Sequence, residues 1–168
     1  MKRVCLVGAA GHGKTTLMVE LIAEFLGRGL TVGSIKHSGH AHELDEPGKD
    51  SHRHRTAGAR PAGIITDRLA GVFVPLSPDD DPFARIEPLF AGCDLVLIEG
   101  FKNGPYPKVE VFRSAAGGRP LAVDDETIRA VISDDPLRVP APVWPRSNLP
   151  DLAARLLEMV EGLSRTRT

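Results

Sequence analysis

The spacing of apolar residues along the chain predicts an alternation of strands and helices that opens with a buried strand. Val4 to Val7 is a continuous apolar run, which is typical of a strand covered on both faces of a parallel sheet. Between Lys14 and Leu26, apolar residues recur three and four positions apart, which predicts a helix with one core-facing side. A second strand is expected from Thr31 to Ile35. The order strand, helix, strand implies a right-handed parallel crossover.

The rest of the pattern predicts further short elements of the same two kinds. Polar residues 38–49 are expected to form a loop, and Asp50 is expected to cap a short helix that ends near Ala59. Residues 136–150 are rich in proline and are expected to be an extended connector. The remaining predicted elements are two strands that could form a hairpin at Gly63–Thr66 and Gly71–Val74, a short helix at Phe83–Phe90, a buried strand at Leu95–Ile98, an alternating and half-exposed strand at Val109–Phe112, a strand at Ile128–Ile132 and a closing helix at Asn148–Leu163.

A glycine-rich loop between the first strand and the first helix has the sequence expected of a phosphate-binding loop. Residues 8–15 read Gly-Ala-Ala-Gly-His-Gly-Lys-Thr and fit the pattern G-x-x-x-x-G-K-[ST] at every fixed position. Backbone N–H groups of such a loop cradle phosphates, and the helix N-terminus adds a favourable dipole. Lys14 is placed to reach the β- and γ-phosphates, and Thr15 to offer its hydroxyl to Mg²⁺. The other members of this predicted nucleotide-binding loop are Gly11, His12, which occupies a variable position, and Gly13.

An acidic residue follows the second strongly apolar strand. Glu99 comes directly after Leu95–Ile98 and should lie at the carboxyl edge of the sheet, where ligands of open α/β sheets bind. It could hold Mg²⁺ together with Thr15, or it could orient an attacking water. Asp94 precedes the strand and is expected at the opposite edge as a turn residue.

Strand, phosphate loop and helix in this order indicate the P-loop NTPase fold. We predict an α/β fold of three layers with a mostly parallel central β-sheet. The length of 168 residues suits a single nucleotide-binding domain that spans residues 1–168.

Composition and charge narrow the classes of function. The formal net charge is −1, from 21 basic and 22 acidic residues, which argues against a general nucleic-acid binder. No apolar stretch approaches the roughly 20 residues of a membrane span. Cys5 and Cys93 lie in or beside apolar runs and are expected to be buried thiols of a reducing compartment. The apolar run after Met1 is too short for a signal peptide, so we expect a cytoplasmic protein.

All six histidines lie in the first 54 residues, and they raise the question of a transition-metal site. Five of them, with nearby acids, could hold zinc or nickel, but the spacing fits no recognised zinc pattern: His37, His40, His42, His52 and His54, with Glu43, Asp45 and Asp50. We therefore favour a polar loop near phosphates. Lys36 and His37 end the second predicted strand, so they should lie beside the phosphate loop and contact its ligand.

Several motifs, taken in order and spacing, resemble those of a known family. They are Gly8-x4-Gly13-Lys14-Thr15-Thr16, Ile35-Lys36-His37, Asp45-Glu46-Pro47-Gly48-Lys49-Asp50-Ser51, Ala57-Gly58-Ala59, Leu97-Ile98-Glu99-Gly100-Phe101-Lys102 and Lys108-Val109-Glu110-Val111-Phe112-Arg113. The set resembles the molybdopterin-guanine dinucleotide biosynthesis protein B (MobB) family. The phosphate loop alone is common to many proteins, whereas Pro-Gly-Lys-Asp-Ser joined to Glu-Gly-Phe-Lys is far more specific.

The resemblance implies a GTP-binding accessory protein that is at most a weak, magnesium-dependent GTPase and that acts as a homodimer. Members of the family assist the molybdenum cofactor guanylyltransferase, which joins GMP to molybdopterin. By this likeness the cofactors are GTP and Mg²⁺, held by Lys14, Thr15 and Thr16, with Glu99 as the magnesium or water acid. The residues implied to line the neighbouring substrate or partner surface are Lys36, His37, Asp45, Asp50, Lys102 and Arg113.

Two expectations concern the base and the oligomer. The chain contains no Asn-Lys-x-Asp guanine-reading motif, and Asp134, after a predicted strand, is the nearest candidate to accept from guanine N1 and N2. The alternating strand Val109–Phe112 should have faces and edges to cover, which favours a homodimer.

Three other functions remain compatible with the same phosphate loop. A small-molecule kinase would need a lid with arginines, for which Arg53, Arg55 and Arg60 are candidates. A metal-delivery GTPase of the urease or hydrogenase maturation kind would use the histidines. A pure adaptor would hold the nucleotide as a structural ligand, with hydrolysis incidental.

Overall fold

The computed structural model describes residues 1–39, 42–77 and 79–165, with side chains described up to residue 162. The chain divides into two compact units. The first unit comprises Met1–Gly39 and Phe90–Thr168, and the second comprises His40–Leu89. Whether residues 1–168 act as one nucleotide-binding domain stays a prediction.

Eight strands and four α-helices follow one another along the described residues. The strands are β1 (Lys2–Val7), β2 (Val32–Lys36), β3 (Ala62–Ile65), β4 (Ala70–Phe73), β5 (Leu95–Glu99), β6 (Lys108–Val111), β7 (Ile128–Ile132) and β8 (Val143–Trp144). The helices are α1 (Lys14–Gly27), α2 (Asp50–Thr56), α3 (Pro82–Ile86) and α4 (Leu149–Arg165). Short 3₁₀ turns occupy Glu87–Phe90, Ser114–Ala116 and Leu121–Val123.

The first unit is built on a six-stranded sheet in the order β2-β5-β1-β6-β7-β8. Every pair of neighbouring strands in it is parallel. The predicted α/β fold with a mostly parallel central sheet is therefore confirmed. Because β1 lies between β5 and β6, the loop that follows β1 emerges at the middle of the carboxyl edge.

Helices α1 and α4 pack together on one face of this sheet. Alternate residues of β1, β5, β6 and β7 point to that face and are fully buried, among them Leu6, Leu97, Val109 and Ile132. The predicted apolar side of α1 meets them, and Phe25 is completely buried there. This shared core fixes the N-terminus of α1 above the ends of β1 and β5.

Strand β6 carries buried polar side chains on its other face, which corrects one prediction. Strand β6 was expected to be half-exposed, but all four of its residues are buried and it pairs with β1 and β7. Lys108 donates to the Thr127 hydroxyl at 2.7 Å. Glu110 accepts the backbone N–H groups of Leu121 and Ala122 at 2.7 and 2.9 Å. Alternation in this strand thus reflects two buried faces, one apolar and one hydrogen-bonded, because partners satisfy its charged side chains.

The thiols and the C-terminal third show smaller differences from expectation. Cys5 is buried as predicted, and burial raises its pKa to about 12, partly offset by the positive charge of Lys108. Cys93 is only half-buried.

The expected connector at residues 136–150 also contains a missed strand, β8, which pairs with β7 at Val143 and Trp144. A strand of only two residues is too short to show a periodic sequence pattern, so the sequence could not reveal it.

The second unit contains the predicted hairpin of β3 and β4, with antiparallel pairing from Ala62–Phe73 to Ile65–Ala70. The expectation that Asp50 caps α2 is wrong, because the N-cap is Lys49 and Asp50 is the first helical residue. An acid in the first turn still interacts favourably with the helix dipole.

Among the described residues, no helix has the length and apolar character needed to cross a membrane.

Candidate functional site

The phosphate loop joins β1 to α1 in a conformation that depends on glycine. A Cβ atom on Gly8 would lie 2.5 Å from the carbonyl oxygen of Val111 in β6, so only glycine allows this close approach. Gly13 is the N-cap of α1 and adopts a left-handed backbone with φ of 88°. No described side chain caps this helix, and the first N–H groups of any helix lack partners within the helix. The loop and the first turn of α1 therefore present donors that fit an anion.

The two loop side chains predicted to contact phosphate and magnesium lie at this helix start. Lys14 Nζ folds back and donates to the carbonyl oxygen of Ala9 at 2.6 Å. Burial lowers the pKa of Lys14, and the repulsion of Lys36 adds to that effect, while the negative charge of Glu99 opposes it. Thr15 Oγ1 lies 2.9 and 3.0 Å from the two carboxylate oxygens of Glu99.

Glu99 is the acid of the site, at the carboxyl end of β5 as predicted. Its side chain is almost completely buried, and it forms an ion pair with Lys36, its register partner at the end of β2. Burial raises the pKa of Glu99, but hydrogen bonds from Lys36 and Thr15 and the charges of Lys36 and Lys14 outweigh it, so the pKa lies below its usual value. The carboxylate is thus held ionised, which suits an ion partner better than a proton donor.

Magnesium fits the oxygen atoms that converge here. Mg²⁺ prefers hard oxygen ligands and keeps several waters, usually with one or two carboxylates and substrate phosphates. The hydroxyl of Thr15 and the carboxylate of Glu99 are such ligands, and they lie next to the loop that would hold the phosphates.

His12 was expected to be a tolerated variable position, and the structure gives it a definite role in packing. The side chain is only 3% exposed, and Nδ1 accepts the backbone N–H of Arg113 at 3.0 Å. Its ring also lies against Phe112, with centroids 5.0 Å apart. His12 therefore joins the phosphate loop to the chain that leaves β6. The motif could not reveal this, because the partner is a backbone group about 100 residues away in sequence.

A strained turn follows Glu99 and brings His37 against Phe101. Gly100 and Phe101 both have positive φ, 88° and 60°, the latter uncommon for a bulky residue. The His37 and Phe101 rings stack with centroids 4.5 Å apart, and the His37 backbone N–H donates to Glu99 O at 2.9 Å. The ends of β2 and β5, which carry Lys36 and Glu99, are tied together in this way. Lys102 follows this turn and is exposed.

Asp134, the candidate guanine reader, has structural partners. Its carboxylate accepts the backbone N–H of Ser147 at 2.9 Å, and this bond is the main reason that its pKa lies below the usual value. The side chain is exposed at the end of β7. A role in reading the base stays a prediction.

The other predicted surface residues, Asp45 and Asp50, lie in the second unit. Asp45 accepts from the buried hydroxyl of Ser51 at 3.0 Å, while Asp50 is exposed. No group of three or more His, Cys, Asp or Glu residues in the described parts of the chain is arranged to hold a metal ion. His40, one of the metal candidates, lies outside those parts.

Comparison with known proteins gives one consistent result. Residues 3–134 match the family model described as molybdopterin guanine dinucleotide synthesis protein B. The chain is 35% identical over 158 residues to a molybdopterin-guanine dinucleotide biosynthesis adapter protein of Escherichia coli, covering 90% of this chain and 89% of the relative. It is 34% identical over 154 residues to the protein of the same description from Haemophilus influenzae, covering 88% and 83%.

Solved structures agree with this relationship. A MobB protein homolog from Bacillus stearothermophilus superposes with a TM-score of 0.64 at 28% identity, covering 96% of this chain and 99% of that one. Bacillus subtilis MobB superposes with a TM-score of 0.70 at 24% identity, covering 95% and 98%, which supports the fold alone.

Proposed function

The chain belongs to the molybdopterin guanine dinucleotide synthesis protein B (MobB) family. We propose that it is an adapter in molybdopterin-guanine dinucleotide biosynthesis and that it binds GTP and Mg²⁺ at its phosphate loop. In this proposal it assists the guanylyltransferase that joins GMP to molybdopterin. It turns GTP over slowly, as an accessory protein.

The observation that carries the nucleotide part is the convergence of Lys14, Thr15 and Glu99 at the start of α1. A phosphate loop alone binds an anion, whereas a magnesium-nucleotide site also needs an oxygen ligand on a neighbouring strand. Thr15 and Glu99 are in direct hydrogen-bond contact, although 84 residues separate them in sequence. This convergence supports a nucleoside triphosphate as the ligand.

Each residue has one task in the proposed site. Backbone N–H groups of the loop and the ammonium of Lys14 bind the β- and γ-phosphate oxygens. Thr15 and Glu99 hold Mg²⁺, which when bound neutralises charge on the phosphates. Lys36 keeps Glu99 ionised and oriented in the absence of other cations. Because Glu99 is engaged as an ion partner, it is poorly suited to activate water, so we expect hydrolysis to be slow.

Guanine recognition is supported by the family and by the position of Asp134. A carboxylate accepts well from the N1 and N2 donors of guanine, and adenine offers no such pair at the same edge. Asp134 stands at the carboxyl end of β7, two strands from β1 on the same sheet edge as the phosphate loop. We include it as the base reader of the proposed site.

The proposed working form is a homodimer. Strand β6, from which a homodimer was expected, does not support one, because both of its edges already pair with β1 and β7 in the same chain. The remaining support is the family likeness and the β3–β4 hairpin, where Ile65 and Leu69 are 84% and 76% exposed. Clustered exposed apolar side chains are common at protein–protein contacts.

The adapter role is tested by reconstituting the transfer of GMP to molybdopterin with purified guanylyltransferase. Adding this protein with GTP and Mg²⁺ is expected to raise the yield or rate of molybdopterin-guanine dinucleotide formation. The Lys14→Ala variant should lose the stimulation, whereas Lys2→Ala, at the opposite edge of the sheet, should keep it. Equal product with and without this protein, over a range of enzyme concentrations, would contradict the role.

A further inference from the structure

An exposed arginine, Arg113, lies beside the phosphate loop on a stretch of backbone that is held by several hydrogen bonds. Its guanidinium Nη2 donates to the carbonyl oxygen of Gly11 at 2.6 Å. Its Nε lies 4.0 Å from the point where a Cβ of Gly13 would stand. The charged group therefore lies along residues 11–13 of the loop.

Three consecutive backbone N–H groups hold Arg113 and its neighbours in place. Phe112 N donates to the Ile132 carbonyl at 3.0 Å, and Arg113 N donates to His12 Nδ1 at 3.0 Å. Ser114 N donates to the Asp135 carboxylate at 2.6 Å. The partners belong to β7, the phosphate loop and the segment after β7. An exposed side chain on backbone fixed from three sides is pre-organised, which is what a binding residue requires.

The electrostatic surroundings of Arg113 leave its charge available to an anion. Arg119, on the same segment, forms an ion pair with Asp124 at 2.9 Å. Within the described residues, no carboxylate pairs with Arg113. A guanidinium carries five N–H donors, and the bond to Gly11 uses one of them. Arginine is well suited to phosphate because its planar donors match two oxygens at once.

We propose that Arg113 contacts the phosphate oxygens of the nucleotide bound at the loop and that His12 is the positioning residue that holds Arg113 there. This inference rests on the proposed function and deepens it. The phosphate-loop pattern itself assigns a role to neither residue. Arg113 supplies a cation from the strand β6 side of the loop, while Lys14 supplies one from the side of Glu99.

The test measures equilibrium binding of a fluorescent GTP analogue, in Mg²⁺, to purified full-length variants. Arg113→Ala and Arg113→Gln should bind about 10-fold or more weakly, and the glutamine variant shows that charge matters, since it keeps hydrogen-bond donors. Arg113→Lys should fall between these and the parent. Arg119→Ala is the matched control on the same segment and should stay within about twofold. Binding of Arg113→Ala within twofold of the parent would overturn the proposal.

A second arm separates positioning from a general effect on the loop. His12→Leu removes the acceptor for Arg113 N–H, while His12→Asn keeps an oxygen near the place of Nδ1. If His12 acts through Arg113, His12→Leu weakens binding severalfold in the parent, His12→Asn restores most of the affinity, and His12→Leu adds less than twofold to Arg113→Ala. Equal losses in both backgrounds would overturn the positioning role. Thermal unfolding of each variant checks that it is folded.

The same experiment distinguishes failure of this inference from failure of the proposed function. If the parent binds the GTP analogue and Lys14→Ala does not, the phosphate site stands, and only the Arg113 variants decide the inference. If the parent does not bind the analogue, the proposed nucleotide site fails and the inference fails with it.

Discussion

At the scale of residues, the proposed chemistry centres on Glu99, a buried carboxylate shared by the Thr15 hydroxyl and the Lys36 ammonium. Two cations would therefore compete for the Glu99 carboxylate: the Lys36 ammonium, which is paired with it in this structure, and a bound Mg²⁺. Burial raises the pKa of Glu99, but hydrogen bonds from Lys36 and Thr15 and the charges of Lys36 and Lys14 outweigh burial, so the pKa lies below its usual value. The stabilisation that comes from this charge is present above the usual glutamate pKa and is lost as pH falls through the lowered one.

Glu99→Gln should weaken GTP binding in Mg²⁺ and leave binding in EDTA nearly unchanged. The substitution keeps size and hydrogen bonding but removes the charge that attracts the metal ion. Asp124→Asn, an exposed acid on the same unit, is the control and should change neither affinity. The measurement is calorimetric titration in both buffers. If affinity is equal to the parent in both buffers and a slow GTP hydrolysis measured for the parent is lost, Glu99 positions water instead.

Lys14→Ala should lose most triphosphate binding while the fold survives. In the part of the chain that the structure describes, the Lys14 ammonium donates only to the carbonyl oxygen of Ala9, so its removal opens no core cavity. A charge-assisted hydrogen bond contributes about 1.5–3 kcal/mol, which corresponds to roughly 10- to 150-fold in affinity. The readouts are nucleotide titration and thermal unfolding, with Lys2→Ala as the control. Parent-like affinity for GTP would refute the phosphate-loop assignment.

The residues of the site differ in how far sequence could identify them. Lys14, Thr15 and Glu99 follow from a motif and from the rule that ligands bind at the carboxyl edge of parallel strands. His12 and the geometry of Arg113 do not, because their bond joins distant parts of the chain through a backbone group. Local sequence patterns carry no information on such a contact, because it forms only when β6 lies next to β1 in the folded sheet.

At the scale of elements, strand β6 shows how a buried polar face misleads a periodicity argument. The alternating sequence Lys108-Val109-Glu110-Val111 has the pattern of a strand with one wet face, yet all four residues are buried. Glu110 is 1% exposed and receives two backbone N–H groups of the 3₁₀ turn at 121–123. Burial of a carboxylate is tolerated when donors satisfy it, and only tertiary structure supplies those donors.

Glu110→Ala should destabilise the protein strongly, because it leaves two N–H groups unpaired, at about 1–3 kcal/mol each. Glu110→Gln keeps a carbonyl acceptor and should lose less. Chemical denaturation with urea, followed by circular dichroism, gives the free energy of unfolding of each variant. Stability of the alanine variant within about 0.5 kcal/mol of the parent, the range of neutral surface changes, would show that this buried contact is unimportant.

Across the whole molecule, the sequence predicts most of the order of strands and helices, but it predicts neither the last strand of the sheet nor the division into two units. Long apolar runs such as those of β1 and β5, and the periodicity of α1, gave the parallel sheet and its carboxyl edge. Two-residue β8 and the division into two units depend on tertiary contacts that leave little trace in local patterns.

The homodimer is tested by sedimentation equilibrium at micromolar concentration, with and without GTP. A dimer should give a mass near twice the 18.1 kDa of the chain. Covering the exposed apolar side chains of the β3–β4 hairpin would supply part of the favourable free energy. A mass of one chain in both conditions would contradict the dimer without affecting the nucleotide site.

The proposed function depends above all on a magnesium-dependent GTP site at the start of α1. Isothermal titration calorimetry of the parent protein with GTP and with ATP, each in Mg²⁺ and in EDTA, tests it most directly. We expect saturable binding of one GTP per chain in Mg²⁺, weaker binding in EDTA, and weaker binding of ATP than of GTP. The absence of saturable binding by either nucleotide in Mg²⁺ would contradict the proposed site.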